Sequence, residues 1–171
     1  RYNYTTFRTI NGTIEKSRKG ENQDKMIDLQ FYYIDKKYIK YIRGIDKRVA
    51  TKRRPYLGIV LKNKEYIYLA PLYSAREKHK NYYMNNTFFR IYDYNNNYIG
   101  LIRFSNMIPV PRCFIHKVDY KYSNRLYQEY CFIFKYKNQI LKRAKITYLN
   151  YEKYKNFCVN FKKIENVINK N

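Results

Sequence analysis

Two β-prone runs, 87-TFFRIYD-93 and 98-YIGLIRF-104, flank 94-YNNN-97, and no other feature limits the fold of this chain as strongly. Asn tolerates left-handed backbone at low cost, so an Asn-rich link between two such runs predicts an antiparallel hairpin. A second hairpin is expected from 56-YLGIVL-61 and 66-YIYLA-70 across 62-KNKE-65, while 29-LQFYYI-34 and 113-CFIHKV-118 read as further strands. Asp35 is placed to cap a short helix over 35–43 that Gly44 stops, and 45-IDKRVATKRR-54 reads as an irregular basic loop. No proline follows Pro111, and Leu126, Tyr130, Phe134, Ile140, Leu141 and Ala144 recur at helical spacing. A break near 147–150 and a last helix around 161–168 complete the pattern. Strands first and helices last give an α+β class with a mainly antiparallel sheet.

The 171 residues suit one domain. Residues 1–25 are polar and weakly periodic, and patterning begins near Met26, the first methionine. The expected organisation is therefore a flexible extension or translated leader over 1–25 and a single folded domain over 26–171.

The 36 Lys and Arg against 13 Asp and Glu leave a net charge of +23, a field that repels itself unless a polyanion answers it. Base composition alone inflates Lys, Asn, Ile and Tyr together, but it does not deplete acids. Nucleic acid is the leading partner, because clustered cations neutralise phosphates and release counterions. The 23 Tyr and 10 Phe supply rings that stack unpaired bases or fill a core. Membrane attachment lacks a lipid-anchor motif and an uninterrupted basic amphipathic helix, and no run has the length of a span. Cys113, Cys131 and Cys158 are far apart and in no ligand spacing, so reduced thiols and a cytoplasmic location are expected.

Acidic residues are scattered, which disfavours a two-metal nuclease. Zinc has only His79, His116 and unrelated cysteines to draw on. No phosphate-binding glycine loop and no serine-hydrolase elbow is present. RNA, by contrast, carries its own nucleophile. A 2′-hydroxyl attacks the adjacent phosphorus if the protein takes its proton, steadies charge on the phosphate and lets the 5′-oxygen leave. No cofactor is required for this. The segment 74-SAREKH-79 holds the parts: Ser74 donates to a phosphate oxygen, Arg76 binds it bidentately, Lys78 adds charge, and His79 suits proton transfer near neutrality. On its residues alone, such a loop is more often simply solvated.

Three segments in order change that weighing: 31-FYYIDKKYIKYI-42, then 55-PYLGIVL-61 continuing to 69-LAPLYSAREKH-79, then 99-IGLIRFSNMIPVP-111. Together they resemble the toxins of type III toxin-antitoxin systems, the ToxN/AbiQ/CptN endoribonuclease family, and 157-FCVNFKKIENVI-168 is similar to that family's final helix. The resemblance implies a strongly twisted antiparallel sheet flanked by helices, with a Kid/MazF-like core and a helical C-terminal part. It also implies metal-independent cleavage leaving 2′,3′-cyclic phosphate ends. The implied partner is a tandem-repeat RNA antitoxin, processed into pseudoknots that close a cyclic toxin-RNA assembly, and the implied role is abortive infection against phage. Ser74 matches the family's active serine, and Arg76 stands where the family has lysine, a departure that leaves proton transfer to His79 or a tyrosine. Tyr38 matches a family site tyrosine, with Lys40 beside it. Arg54, or Lys52 or Arg53, matches a groove lysine. Tyr73 precedes the serine, and Lys78 and Lys80 extend the basic segment. His116 reads as a core histidine, and Lys142, Arg143 and Lys145 as a solvated helix face. A non-catalytic basic RNA-binding module is the alternative reading.

Overall fold

A computed structural model describes residues 30–59, 61, 65–83 and 85–170. The expected 1–25 extension and most of the 62–65 turn lie outside the described residues. The chain runs β1 (Phe31–Ile34), α1 (Lys36–Arg43), β2 (Tyr56–Ile59), β3 (Tyr66–Ser74), α2 (Glu77–Lys80), β4 (Phe88–Tyr92) and β5 (Tyr98–Arg103). It continues through β6 (Ile108–Pro111), β7 (Ile115–Val118), α3 (Asn124–Lys135), α4 (Lys137–Leu149), α5 (Tyr151–Tyr154) and α6 (Phe161–Lys170). The seven strands form an antiparallel sheet in the order β4-β5-β3-β2-β1-β7, with β6 also on β3, so the expected α+β class is what the chain forms.

β3 is the hub. One edge pairs with β2 from Tyr56↔Pro71 to Ile59↔Tyr68. The other edge carries two partners end to end: β6 on Tyr66 to Leu69, and β5 on Leu72 to Ser74. Pro71 sits where one gives way to the other. Leu72 N–H donates to Pro55 O at 3.0 Å on the β2 side. Alternate residues of a strand turn their backbone groups to opposite edges, so the donor that Pro71 lacks falls in the gap between β5 and β6 and no ladder bond is lost. This is why the strand expected to stop at Ala70 runs on to Ser74.

Local expectations elsewhere hold where the signal is local. Asp35 accepts from Lys37 N–H at 2.7 Å to open α1. The 94–97 turn is gathered by Asp93 Oδ1, which accepts from Asn95 N–H at 2.9 Å and Asn97 N–H at 2.8 Å, while Asn96 takes a φ of 61°. The C-terminal helical stretch divides at Tyr136, whose ψ of 18° departs from helix. Thr147 lies within α4, and the expected break falls at the end of its range, at Asn150 between Leu149 and Tyr151. Of the apolar stripe, Ile140 and Ala144 are buried, but Phe134 is 50% exposed.

The core joins the sheet to these helices. Tyr68 of β3 donates its hydroxyl to Glu165 of α6, which also accepts from Tyr148 of α4. Burial first, and Glu165 second, push the Tyr68 hydroxyl far above its ordinary range, so it stays a donor. Two expectations are corrected. Arg143 is half-buried: its guanidinium donates to Phe88 O at 3.1 Å and lies 4.5 Å over the Phe89 ring, anchoring α4 to β4. His116 is exposed on β7, an edge strand of the sheet whose two middle residues, His116 and Lys117, are both open to solvent. No helix among the described residues is long and apolar enough to cross a membrane.

Candidate active site

The burial along β3 changes at its end: Tyr66 to Leu72 are buried, Tyr73 is half-buried and Ser74 is exposed. Ser74 pairs with Gly100 of β5, and Ala75 N–H still donates to Ile99 O at 3.2 Å, so the serine is held on a ladder and not on a free loop. Arg76 then takes an extended backbone, φ −136° and ψ 149°, and starts the single turn α2. One turn of helix does not stand alone in water. Here Arg90 of β4 pins it, donating to His79 O at 2.7 Å and to Tyr82 O at 2.8 Å.

Ser74 and α2 open onto a groove with two lobes. One lobe, of about 280 Å³, is lined by Thr51, Tyr73, Lys78, His79 and Arg103; the other, of about 350 Å³, by Arg53, Leu72, Ser74, Arg125, Leu126 and Glu129. Lys52, Arg54, Tyr73 and Arg76 line both and form its waist. Tyr73 organises the cations: the Arg54 guanidinium stands 4.0 Å from its ring centre and that of Arg103 5.3 Å. Arg53 lies 4.3 Å over Tyr33 in the same way. Among the described residues, none of Lys52, Arg54, Arg76, Lys78 and Arg103 is paired with a carboxylate. Unanswered positive charge in a concave site is what a phosphodiester needs.

Each lobe has one buried ionisable group in its wall. His79 is 2% exposed, its Nδ1 3.2 Å from the Tyr98 hydroxyl and its ring 5.2 Å from that of Tyr82. Burial first, and then the charges of Lys78, Arg103, Arg76 and Arg90, hold its imidazole below the ordinary histidine value. Glu129 is 3% exposed; burial pushes its carboxyl up, and Arg125 only partly offsets this. Among the described residues no three His, Cys, Asp or Glu side chains gather as a metal site, and these two groups lie in different lobes.

Of the residues singled out from sequence, the structure brings Ser74, Arg76, His79, Lys52, Arg53, Arg54, Tyr73 and Lys78 to this groove. It does not bring the other three. Tyr38 is corrected to a core residue: 1% exposed, stacked on Phe114 at 5.0 Å and donating its hydroxyl to Pro109 O at 2.6 Å. Lys40 is exposed on α1 and lines neither lobe, and Lys80 turns to solvent to meet Glu77 at 2.9 Å. Sequence reasoning missed Arg103, Arg125 and Glu129. The last two stand four apart on a predicted helix, a readable ion-pair spacing, but only the fold places that pair beside Ser74.

The core placement of Tyr38 carries a prediction. Tyr38→Phe strands the Pro109 carbonyl and lowers stability by about 1–2 kcal/mol in urea unfolding, with RNA cleavage unchanged. A loss of cleavage as deep as that of Ser74→Ala returns Tyr38 to the site.

Comparison with known proteins agrees on the fold. Residues 30–169 match the family model described as toxin ToxN of type III toxin-antitoxin systems. The endoribonuclease ToxN of Bacillus thuringiensis subsp. kurstaki is 30% identical over 95 residues, 53% of this chain and 47% of that protein, so the match spans about half of that relative's length. The endoribonuclease ToxN of Pectobacterium atrosepticum is 29% identical over 117 residues, 59% of this chain and 68% of that protein. A solved structure from a type III system in which a non-coding RNA pseudoknot selectively inhibits the toxin superposes with a TM-score of 0.72 at 22% identity, covering 82% of this chain and 96% of that one. AbiQ, a lactococcal anti-phage endoribonuclease of the type III toxin-antitoxin system, superposes with a TM-score of 0.71 at 24% identity, covering 83% of this chain and 98% of its own.

Proposed function

The chain belongs to the ToxN family of type III toxin-antitoxin toxins, and on that premise we propose that its two-lobed groove cleaves RNA without a divalent ion. The observation that carries this reading is the placement of an unpaired Arg54–Arg76 waist between Ser74 on one side and the buried His79 on the other. An in-line displacement needs charge stabilisation at the phosphate and a proton acceptor to one side of it. Arg54 and Arg76 hold the non-bridging oxygens, with Ser74 donating a hydrogen bond to one of them. His79 takes the proton from the 2′-hydroxyl, whose oxygen bonds to phosphorus as the P–O5′ bond breaks. The 5′-oxygen leaves with the electron pair of the broken bond and takes a proton from solvent water, and a 2′,3′-cyclic phosphate remains. For His79 to accept at Nε2, its Nδ1 carries the hydrogen and donates to the Tyr98 oxygen, the contact of 3.2 Å.

The inhibitor and the target follow from the same surface. A net charge of +23 suits a folded RNA larger than the groove. A repeat RNA folded as a pseudoknot, processed by the toxin and closing a toxin-RNA ring, would mask the groove, and its loss during phage infection would release cleavage of cellular or phage RNA. The waist arginine at the family's lysine position favours one second reading, a binding module that no longer cuts.

The test is incubation of the purified protein with unstructured RNA in excess EDTA. Cleavage with cyclic-phosphate ends, lost in Ser74→Ala with an unchanged melting temperature, is the expected result. Scission that appears only after Mg²⁺ is restored overturns the metal-free reading, and tight RNA binding with no scission under either condition supports the binding module.

A further inference from the structure

Resting on the groove reading above, we propose that Arg125 is a further phosphate-binding arm of the Ser74 lobe and that the buried Glu129 is the residue that positions it. Burying a carboxylate is costly, and doing so inside a cationic groove also weakens the groove's attraction for a polyanion. The fold makes a specific place for it nonetheless. A Cβ on residue 100 would stand 3.0 Å from Glu129 Oε1 and 3.1 Å from Tyr73 O, so the carboxylate occupies room that exists because that residue is glycine. Gly100 is in turn the β5 partner of Ser74. The carboxylate therefore packs against the strand pair that ends at the serine.

What Glu129 does there is hold Arg125. Its Oε1 accepts from Arg125 Nε at 3.2 Å, and Arg125 Nη2 donates to Ile99 O at 2.9 Å. Two tethers on a planar group fix its orientation. A guanidinium has about five N–H donors, so the pair of bonds leaves three for a ligand. The Arg125 side chain is 49% exposed, and both residues line the lobe that holds Ser74 and Arg76. Helix stability does not account for the pair, since arginine four residues before glutamate is the weaker orientation and the gain from such pairs is small. Pre-orientation does. An untethered arginine loses side-chain freedom when it grips a phosphate, whereas Arg125 has lost it already.

The probe is a short 2′-O-methyl oligoribonucleotide, which lacks the attacking hydroxyl, followed by fluorescence anisotropy over a range of salt. Arg125→Ala weakens binding about tenfold and lowers the slope of log affinity on log salt by about 0.7, the single-strand value for one phosphate. Glu129→Leu, which removes the acceptor, weakens binding about three- to tenfold and adds nothing in the Arg125→Ala background, as expected of one coupled unit. Glu129→Gln, which keeps an acceptor oxygen in the same place, stays within about twofold of the parent. Simple electrostatics makes the opposite forecast, since both Glu129 substitutions delete a negative charge and both would tighten binding equally. Tighter or equal binding by Glu129→Leu, additivity with Arg125→Ala, or no loss in Arg125→Ala overturns the proposal. Should Glu129→Leu fail to fold, Arg125→Lys decides: it keeps the charge without the two-point tether and falls between parent and alanine, and parental affinity there removes the positioning role. Failure of the cleavage reading looks different, with unmodified RNA uncut by the parent protein while these affinity changes stand.

Discussion

Replacing His79 with Gln lowers the rate of RNA cleavage by about 10²–10⁴-fold, the range for loss of a general base, while affinity for uncleavable RNA stays at the parental level. The imidazole is 2% exposed and sits among four cations, Lys78, Arg103, Arg76 and Arg90, so its charged form is disfavoured twice, by burial and by like charge. A free histidine at about 6.5 is partly protonated near neutrality. One held below that value carries less of the charged form at the same pH and is more fully the neutral base, ready to accept a proton where RNA is to be cut. The pH dependence follows in sign. Cleavage falls as pH drops through the lowered His79 value, and His79→Gln removes that acidic limb. Stability runs the same way: the fold favours neutral His79, so this contribution is present above the ordinary histidine value and lost as pH falls through the folded one. The measurement is a pH-rate profile of parent and variant with melting at matched pH. An acidic limb that survives in His79→Gln, or one that lies above the ordinary histidine range in the parent, assigns proton transfer to another group.

The parts of this site that could be read from sequence are those decided by near neighbours in the chain. The Asn-rich turn and the Asp35 cap each carry their reason within a few residues, and each stands where it was expected. The parts that could not be read were decided across the sheet. Pro71 looks like the end of a strand until the β5–β6 junction opposite it is known. Tyr38 looks equally suited to a groove or a core, and the choice is made by Phe114 and by the carbonyl of Pro109, 71 residues away. Arg143 has the composition of a solvated helix face and is drawn inward by the Phe88 carbonyl. The groove itself is a meeting of β3, β5, α2, α3 and the 50–55 loop. Family resemblance supplied the serine and the waist, but it could not supply Arg103, Arg125 or Glu129, whose importance lies in what they face.

Arg76→Ala lowers cleavage by about 10²–10³-fold, the usual cost of removing one preorganised donor to a developing negative charge. Arg76 lines both lobes, follows Ser74 by two residues on an extended backbone and has no carboxylate partner among the described residues, so its whole charge is available to the phosphate. The lysine variant is the more informative one. A guanidinium does not surrender its proton in the working range, so Arg76 serves the reaction only as a charge and as a two-pronged donor. Arg76→Lys keeps the charge and loses the fork, and in single-turnover cleavage it falls between parent and Arg76→Ala, within about tenfold of the parent. A rise above the parent would mean that a group able to release a proton at this position does chemistry the arginine cannot. The natural protein would then be a weakened nuclease that mainly grips RNA, as the binding-module reading holds. Parental activity in Arg76→Ala would remove Arg76 from the mechanism and leave the charge of the waist to Lys52 and Arg54, because Tyr73, the other residue of β3 and α2 that lines both lobes, carries no charge to replace it.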